Sequence, residues 1–285
     1  MNQLQFDTNK WKIADYKPSN TLQMFITNKC NKKCTGCFYQ NYINTDEMSL
    51  KDYDSIVQST QNVEKIILIG GEPTLHKNIA DFIKYNQDNG LRTTIYTNGF
   101  NLKSLEKVDF KDVTVRVGVL GLYDSEKPLA EIIPSDIPIT MTYMLRKNNI
   151  NEMIAAFEFA EGNFNCQGLF ISSIRDIVAT GDYWVDTPDT LPKEEYYKVV
   201  QSFINQYNGT SNKIHITKRS IFQHMFNSPN VETCRFLNYF PDKSCTICAF
   251  DIGLNIKNEP IPFNCRKCNK SEDGCLFQKI TLERI

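Results

Sequence analysis

Between residues 20 and 175 the chain alternates short apolar runs with stretches whose apolar residues recur at helical spacing. The runs at 22–27, 65–69, 92–97, 113–120, 137–145 and 168–174 are rich in Ile, Val, Thr and Tyr, and most are bounded by Gly, Asn or Pro, which predicts strands. Between them Leu50, Tyr53, Ile56 and Val57 share one helical face, as do Ile79, Phe82 and Ile83, and then Ile150, Met153, Ile154 and Phe157. Ser49 stands where an N-cap belongs, with Asp52 three positions on. Pro128 and Pro134 interrupt the segment between the fourth and fifth runs, making it the weakest helix of the set.

Six β-α repeats in this order predict a parallel sheet with helices outside it. They are too few for a closed eight-stranded barrel, so the expected fold is α/β, a partial (β/α)6 barrel. Ligands of such sheets bind beyond the carboxyl ends of the strands. From about Thr180 the pattern changes: Pro188 and Pro192 mark a boundary, 193–206 reads as a helix and 214–217 as a short strand. After Cys234 the chain is Cys-dense and loop-rich. The expected organisation is a core over residues 1–180, a connecting region over 181–233 and a small metal-stapled domain over 234–285.

A net charge of −1 gives no field-level reason to expect nucleic acid or an anionic membrane as partner. The apolar runs are strand-sized, far short of a membrane span, and residues 1–10 hold no signal-peptide core. A cytoplasmic protein is expected. Ten cysteines are then the anomaly, because a reducing compartment favours metal or redox chemistry over disulfides. Three fall between residues 30 and 37, six fall after residue 230, and Cys166 stands alone as a buried apolar residue.

The first cluster, Cys30-Asn-Lys-Lys-Cys34-Thr-Gly-Cys37, directly follows the first strand. Three thiolates on one loop can bind three irons of a four-iron cluster and leave the fourth open. The alternatives are a structural zinc site, for which residues 38–75 supply no fourth Cys or His, or three reduced cysteines of the core. His76, His215 and His224 show no ligand spacing. After the second strand comes Gly70-Gly71-Glu72-Pro73-Thr74, after the third Thr97-Asn98-Gly99, and after the fifth Arg146 with Asn148 and Asn149.

In that order and placement these motifs resemble the radical S-adenosylmethionine (radical SAM) family over about residues 20 to 175. The resemblance implies a [4Fe-4S] cluster on Cys30, Cys34 and Cys37, with SAM chelating the open iron. It implies SAM contacts from Gly70, Gly71, Glu72, Pro73, Asn98 and Arg146, with Glu72 accepting from the SAM amino group. Phe38 takes the place of the aromatic that the family usually puts before the third cysteine, where this chain has Gly36. The fourth strand lacks the family's usual Ser and Asp, and Arg175 is a further residue for the mouth of the site. An electron from a reductant such as flavodoxin or ferredoxin would cleave SAM to a 5′-deoxyadenosyl radical that abstracts a substrate hydrogen.

The second set comprises Cys234, Cys245, Cys248, Cys265, Cys268 and Cys275, and the segment from 250 to 264 reads as a hairpin joining two CxxC pairs. This resembles the auxiliary-cluster domain of twitch and SPASM radical SAM enzymes. A second [4Fe-4S] cluster on Cys245, Cys248, Cys265 and Cys268 is implied, with Cys275 as an alternative ligand and zinc as the alternative metal. Cys275 and Cys234 are also candidate hydrogen donors. The expected substrate is a ribosomally made peptide undergoing epimerisation or crosslinking, recognised by the barrel or through a partner protein. Alternatives are dehydrogenation or epimerisation of a small molecule such as an aminoglycoside sugar, and a non-catalytic iron–sulfur or zinc protein for binding or sensing.

Two clusters would give anaerobically reconstituted protein about eight iron atoms per chain, and the Cys30/Cys34/Cys37 triple-Ala variant about half of that. Stoichiometric zinc in freshly isolated protein that survives the triple change and disappears in Cys248→Ala would contradict a second iron–sulfur cluster.

Overall fold

The computed structural model describes residues 20–34, 37, 39–173, 176–177, 184–185, 189, 191–207, 215–216, 237–243 and 245–246. Six strands follow the expected apolar runs: β1 (Thr21–Thr27), β2 (Lys65–Gly70), β3 (Arg92–Thr97), β4 (Val113–Val119), β5 (Ile139–Leu145) and β6 (Cys166–Ser173). Helix α1 (Leu50–Ser59) joins the first pair, α2 (Ile79–Asp88) the second and α3 (Met153–Asn163) the last; α4 (Lys193–Tyr207) comes after β6. A short ribbon, β7 (Asp176–Ile177) with β8 (Trp184–Val185), stands apart from the main sheet.

The caps follow local chemistry. The Ser49 side chain accepts from the Asp52 amide at 3.1 Å and so satisfies one of the free N–H groups that open α1. The β3–β4 and β4–β5 connections carry only 3₁₀ turns, Leu102–Leu105 and Leu129–Glu131. The first of these connections is short, and Pro128 and Pro134 break the second.

The main sheet runs β11-β10-β1-β2-β3-β4-β5-β6-β9, with β9 (His215–Ile216), β10 (Leu237–Tyr239) and β11 (Cys245–Thr246) added at its edges. Every pairing is parallel except β10 with β11. Among the described residues the two edges do not meet, so this is the open, partial barrel that six repeats imply. The expected strand near 214–217 is β9, beside β6. Strand β10 was not expected: Leu22, Gln23 and Met24 of β1 pair with Leu237, Asn238 and Tyr239, within the segment assigned to the C-terminal domain. The hairpin expected at 250–264 lies outside the described residues.

The two faces of the sheet are chemically distinct. On β4, Val115, Val117 and Val119 are fully buried while Thr114, Arg116 and Gly118 are not; on β5, Ile139, Met141, Tyr143 and Leu145 are buried and the alternate residues partly so. The buried set packs on α3 through Met153, Ala156, Phe157 and Ala160, and the core continues through Phe82 of α2 and Tyr53 of α1. Each large apolar side chain so buried stabilises the fold by roughly 1.5–3 kcal/mol. The opposite face carries Phe25, Ile69, Tyr96, Arg116, Thr142 and Phe170. It is concave and lies beneath the carboxyl-end loops.

One polar knot sits inside the helix-facing core. Asn86 is fully buried, accepts from the Tyr53 hydroxyl at 2.8 Å and donates to Thr93 Oγ1 at 3.0 Å, joining α1, α2 and β3. Asn86→Ala leaves both hydroxyls buried without this partner and should destabilise the fold by about 2–4 kcal/mol in urea unfolding. Adding Tyr53→Phe should recover part of that loss. A double variant less stable than the single one would show that the knot is not the cause.

Candidate functional site

Strand β1 ends in the loop that carries the three cysteines, and the loop is tied down at both ends. Before Cys30, the Asn28 amide donates to Asp46 O at 2.9 Å, and Lys29 Nζ lies 3.0 Å from Glu47. After Cys37, the Tyr39 ring stacks on Phe25 at 5.1 Å and its hydroxyl donates to Asn28 Oδ1. Cys37 packs against the small apolar cluster of Phe25, Tyr39 and Phe240. Because Phe25 belongs to the concave face, the loop leans over that face. Burial raises the Tyr39 phenol above its ordinary value, so it remains a neutral donor.

The second strand presses its end against the same loop. The Gly71 amide donates to Thr27 O at 2.9 Å and the Glu72 amide to Lys29 O at 2.7 Å. Backbone lies so close that a Cβ on Gly70 would stand 2.2 Å from Thr27 O, and one on Gly71 2.3 Å from Lys29 O. Gly70 also holds φ +146°, which L residues rarely adopt. The two glycines are therefore required by contact with the cysteine loop.

Glu72 is 1% exposed. Its Oε1 accepts from Thr74 N at 3.1 Å and from the hydroxyls of Thr74 and Thr97 at 2.6 Å each, and its Oε2 accepts from Asn98 N at 2.7 Å. The carboxylate expected to receive the SAM amino group is thus filled by the chain's own donors except for one direction at Oε2. Asn98 in turn donates through its side chain to Asn31 Oδ1 at 2.8 Å, and Lys32 Nζ lies 3.7 Å above the Phe100 ring. The turn after β3 thereby grips the cysteine loop directly. Pro73, buried and first in its 3₁₀ turn, shapes the Glu72 turn from behind.

The ends of β4 and β5 meet at Arg146. Its guanidinium is buried, 3.7 Å from Asp124 and 3.7 Å from Glu126, and Nε and Nη2 have no hydrogen-bond partner. Asn149 fixes this corner: its amide donates to Leu120 O and Met144 O, and its Oδ1 accepts from Arg146 N at 2.7 Å. Asp124, Glu126 and Lys127 were not among the expected site residues. The signal available for them was a run of charges in the one connection that proline keeps from becoming a helix.

Cys30, Cys34 and Cys37 are reduced and partly exposed. Burial pushes the Cys30 and Cys34 thiols up; Cys37 pushes both further, and the Lys127 ammonium offsets part of this. Crowded cysteines, of which burial holds Cys30 and Cys34 as thiols, fit a cationic iron–sulfur core, which stabilises thiolates by direct bonding. Among the described residues no three His, Cys, Asp or Glu side chains converge on a single metal ion. His76 is unsuited to ligation because Nδ1 accepts from Asn78 N at 3.1 Å and Nε2 donates to Met48 O at 3.1 Å. The unpartnered donors of Arg146 fit the carboxylate of a bound amino acid such as the methionyl part of SAM.

The structure brings together Cys30, Cys34, Cys37, Gly70, Gly71, Glu72, Pro73 and Asn98, and places Arg146 beside Glu126, whose charge reaches Cys34. Cys166 is buried on β6, its Sγ 3.4 Å from Gly168 O, as an apolar core residue would be. Phe38, Gly36, Arg175, Cys234, Cys248, Cys265, Cys268 and Cys275 lie outside the described residues, and of Cys245 only the backbone is described.

Comparison with known proteins agrees with this geometry. Residues 24–159 match the radical SAM superfamily. GTP 3′,8-cyclase of Campylobacter jejuni is 28% identical over 190 residues, 57% of this chain and 58% of that one. Fe-coproporphyrin III synthase of Methanosarcina barkeri is 24% identical over 157 residues, 48% of this chain and 39% of that one. The chain spans less than two thirds of the length of these curated relatives. In structure it is similar to Streptococcus suis SuiB bound to S-adenosylmethionine, with a TM-score of 0.65 at 16% identity over 93% of this chain and 68% of that one. That likeness establishes the fold. Over residues 24–159, a little under half of its length, the chain is similar to the radical SAM superfamily.

Proposed function

We propose that this chain is a radical SAM enzyme that abstracts hydrogen from a ribosomally made peptide held on the concave face of its sheet, leading to epimerisation or crosslinking. The observation that carries the proposal is the docking of the cysteine loop over that face through Cys37, Phe25 and Tyr39. Cys30, Cys34 and Cys37 would hold the [4Fe-4S] cluster, and Arg146 would bind the SAM carboxylate. Glu72 would hold the turns around SAM and offer its one remaining acceptor direction to the amino group. When bound and reduced by flavodoxin or ferredoxin, the cluster supplies the electron that cleaves SAM to methionine and a 5′-deoxyadenosyl radical. The residues of the site orient SAM and keep water away from the radical's path.

A peptide substrate is supported by the likeness to SuiB, which has been solved with its precursor peptide SuiA. A small-molecule substrate is the second reading, favoured by the sequence relationship to a GTP cyclase. Residues 245–275 would hold a second [4Fe-4S] cluster through Cys245, Cys248, Cys265 and Cys268, supported by their thiolate-only chemistry.

Cys30→Ala, Cys34→Ala and Cys37→Ala should each abolish release of 5′-deoxyadenosine from SAM under anaerobic reduction while the chain stays folded. Wild-type release from any of them would remove that cysteine from the site. With peptides encoded beside the gene, loss of two hydrogens would mark crosslinking, and one deuterium taken from heavy water would mark epimerisation. Turnover of nucleotides or sugars with unchanged peptides would overturn the peptide proposal in favour of the second reading.

Gly71→Ala should displace the Lys29–Cys30 backbone, because its Cβ cannot occupy a position 2.3 Å from Lys29 O. Iron bound after reconstitution should fall well below the wild-type level with the helical circular dichroism unchanged. Full iron loading in this variant would show that the contact does not position the loop.

A further inference from the structure

The concave face holds one cation that nothing in the preceding site uses. Arg116 lies at the middle of β4, paired in register with Tyr96 of β3 and Thr140 of β5. Its guanidinium carbon sits 5.5 Å from the centre of the Tyr96 ring and 5.6 Å from that of Phe170, which reaches it from β6 across two small threonines. Nη1 donates to the Tyr96 hydroxyl at 3.1 Å. The edge formed by Nε and Nη2 makes no hydrogen bond, and Nε is buried. Arg116 pairs with no carboxylate among the described residues. Above it a Cβ on Gly118 would meet Lys127 Nζ and Met144 Cε at 3.7 Å, and Thr142 Oγ1 beside Gly118 is also buried without a partner.

A guanidinium set beside two aromatic rings, with Nε buried and no acceptor at Nε or Nη2, lacks the two acceptors that this edge is built to bind. A carboxylate supplies both in one plane, through paired N–H···O bonds to Nε and Nη2. We propose that Arg116 binds a carboxylate of the substrate, an acidic side chain of the peptide, and so fixes which residue lies beneath the site of radical formation. This rests on reading the concave face as the substrate chamber. A single guanidinium matches the single charge of a carboxylate. SAM also carries a carboxylate, which the unpartnered donors of Arg146 accommodate at the carboxyl end of β5.

Anaerobic full-length holoprotein with SAM bound and no reductant separates these possibilities by ligand-observed saturation-transfer titration. The probes are the N-acetyl methylamides of glutamate, glutamine and O-phosphoserine. The expected result is a preference for the glutamate probe over its glutamine isostere of roughly tenfold or more, as for a charge-assisted pair. Arg116→Gln should erase that preference and leave SAM affinity unchanged.

Equal binding of the two probes, a preference that persists in Arg116→Gln, or a phosphoserine probe favoured tenfold over glutamate would each overturn the assignment. A parallel loss of SAM affinity in Arg116→Gln would give the residue to SAM and overturn it as well. If Arg116→Gln does not fold, Arg116→Lys decides, since it keeps the charge without the planar fork: an undiminished preference overturns the proposal, and a reduced one supports it. Release of 5′-deoxyadenosine is read separately, so failure here leaves the radical SAM assignment intact.

Discussion

The buried carboxylate of Glu72 is the constraint on which the site depends. A carboxylate removed from water is costly unless its lone pairs are filled, and four donors from the chain fill all but one direction here. Those donors come from the turn after β2 and the turn after β3. The Glu72 amide donates to Lys29 O, and Asn98 reaches Asn31, so the cysteine loop is joined to both turns. Three adjacent strand ends thus form one hydrogen-bonded unit. The positions of the three thiols follow from it.

The sheet serves this unit by giving its two faces different work. The helix-facing side is an ordinary apolar core in which valine, isoleucine and aromatic side chains interlock with α1, α2 and α3. The concave side mixes small or polar residues, Thr140, Thr142 and Gly118 among them, with the rings of Phe25, Tyr96 and Phe170. Around its rim the charges are grouped rather than scattered. Asp124 and Glu126 hold Arg146, and the Lys127 ammonium offsets part of the cost of ionising Cys30 and Cys34.

Much of this was legible in the sequence because short motifs carry strong local physics. Apolar runs located β1 to β6 of the main sheet, Ser49 marked a helix start, and the CxxxCxxC spacing placed three thiols on one loop. The motifs did not disclose why their residues are needed. Gly70 and Gly71 entered only as SAM contacts implied by a resemblance, and the structure adds that they make room for the backbone of Thr27 and Lys29. Glu72 read as a ligand-binding carboxylate, whereas most of its capacity is spent within the protein. Long-range contact decides both, and no local pattern encodes it. Arg116 was hidden for a similar reason: one charge in a valine-rich strand acquires meaning only when Tyr96 and Phe170 arrive from two other strands. Strand β10 was missed because three residues beside β1 are too few to show a period.

The most direct test of Glu72 as the fastening of the site is amide hydrogen exchange in Glu72→Gln, set beside SAM affinity in the same protein. Replacing the carboxylate with an amide removes one acceptor oxygen and introduces a donor facing donors. The account predicts that the amides of Thr74 and Asn98 lose protection, that protection falls through residues 28–34, and that SAM binding weakens as a consequence. Unchanged protection at all of these amides together with weakened SAM binding would contradict it, and would leave Glu72 with its contact to SAM alone rather than as the residue that holds the site together.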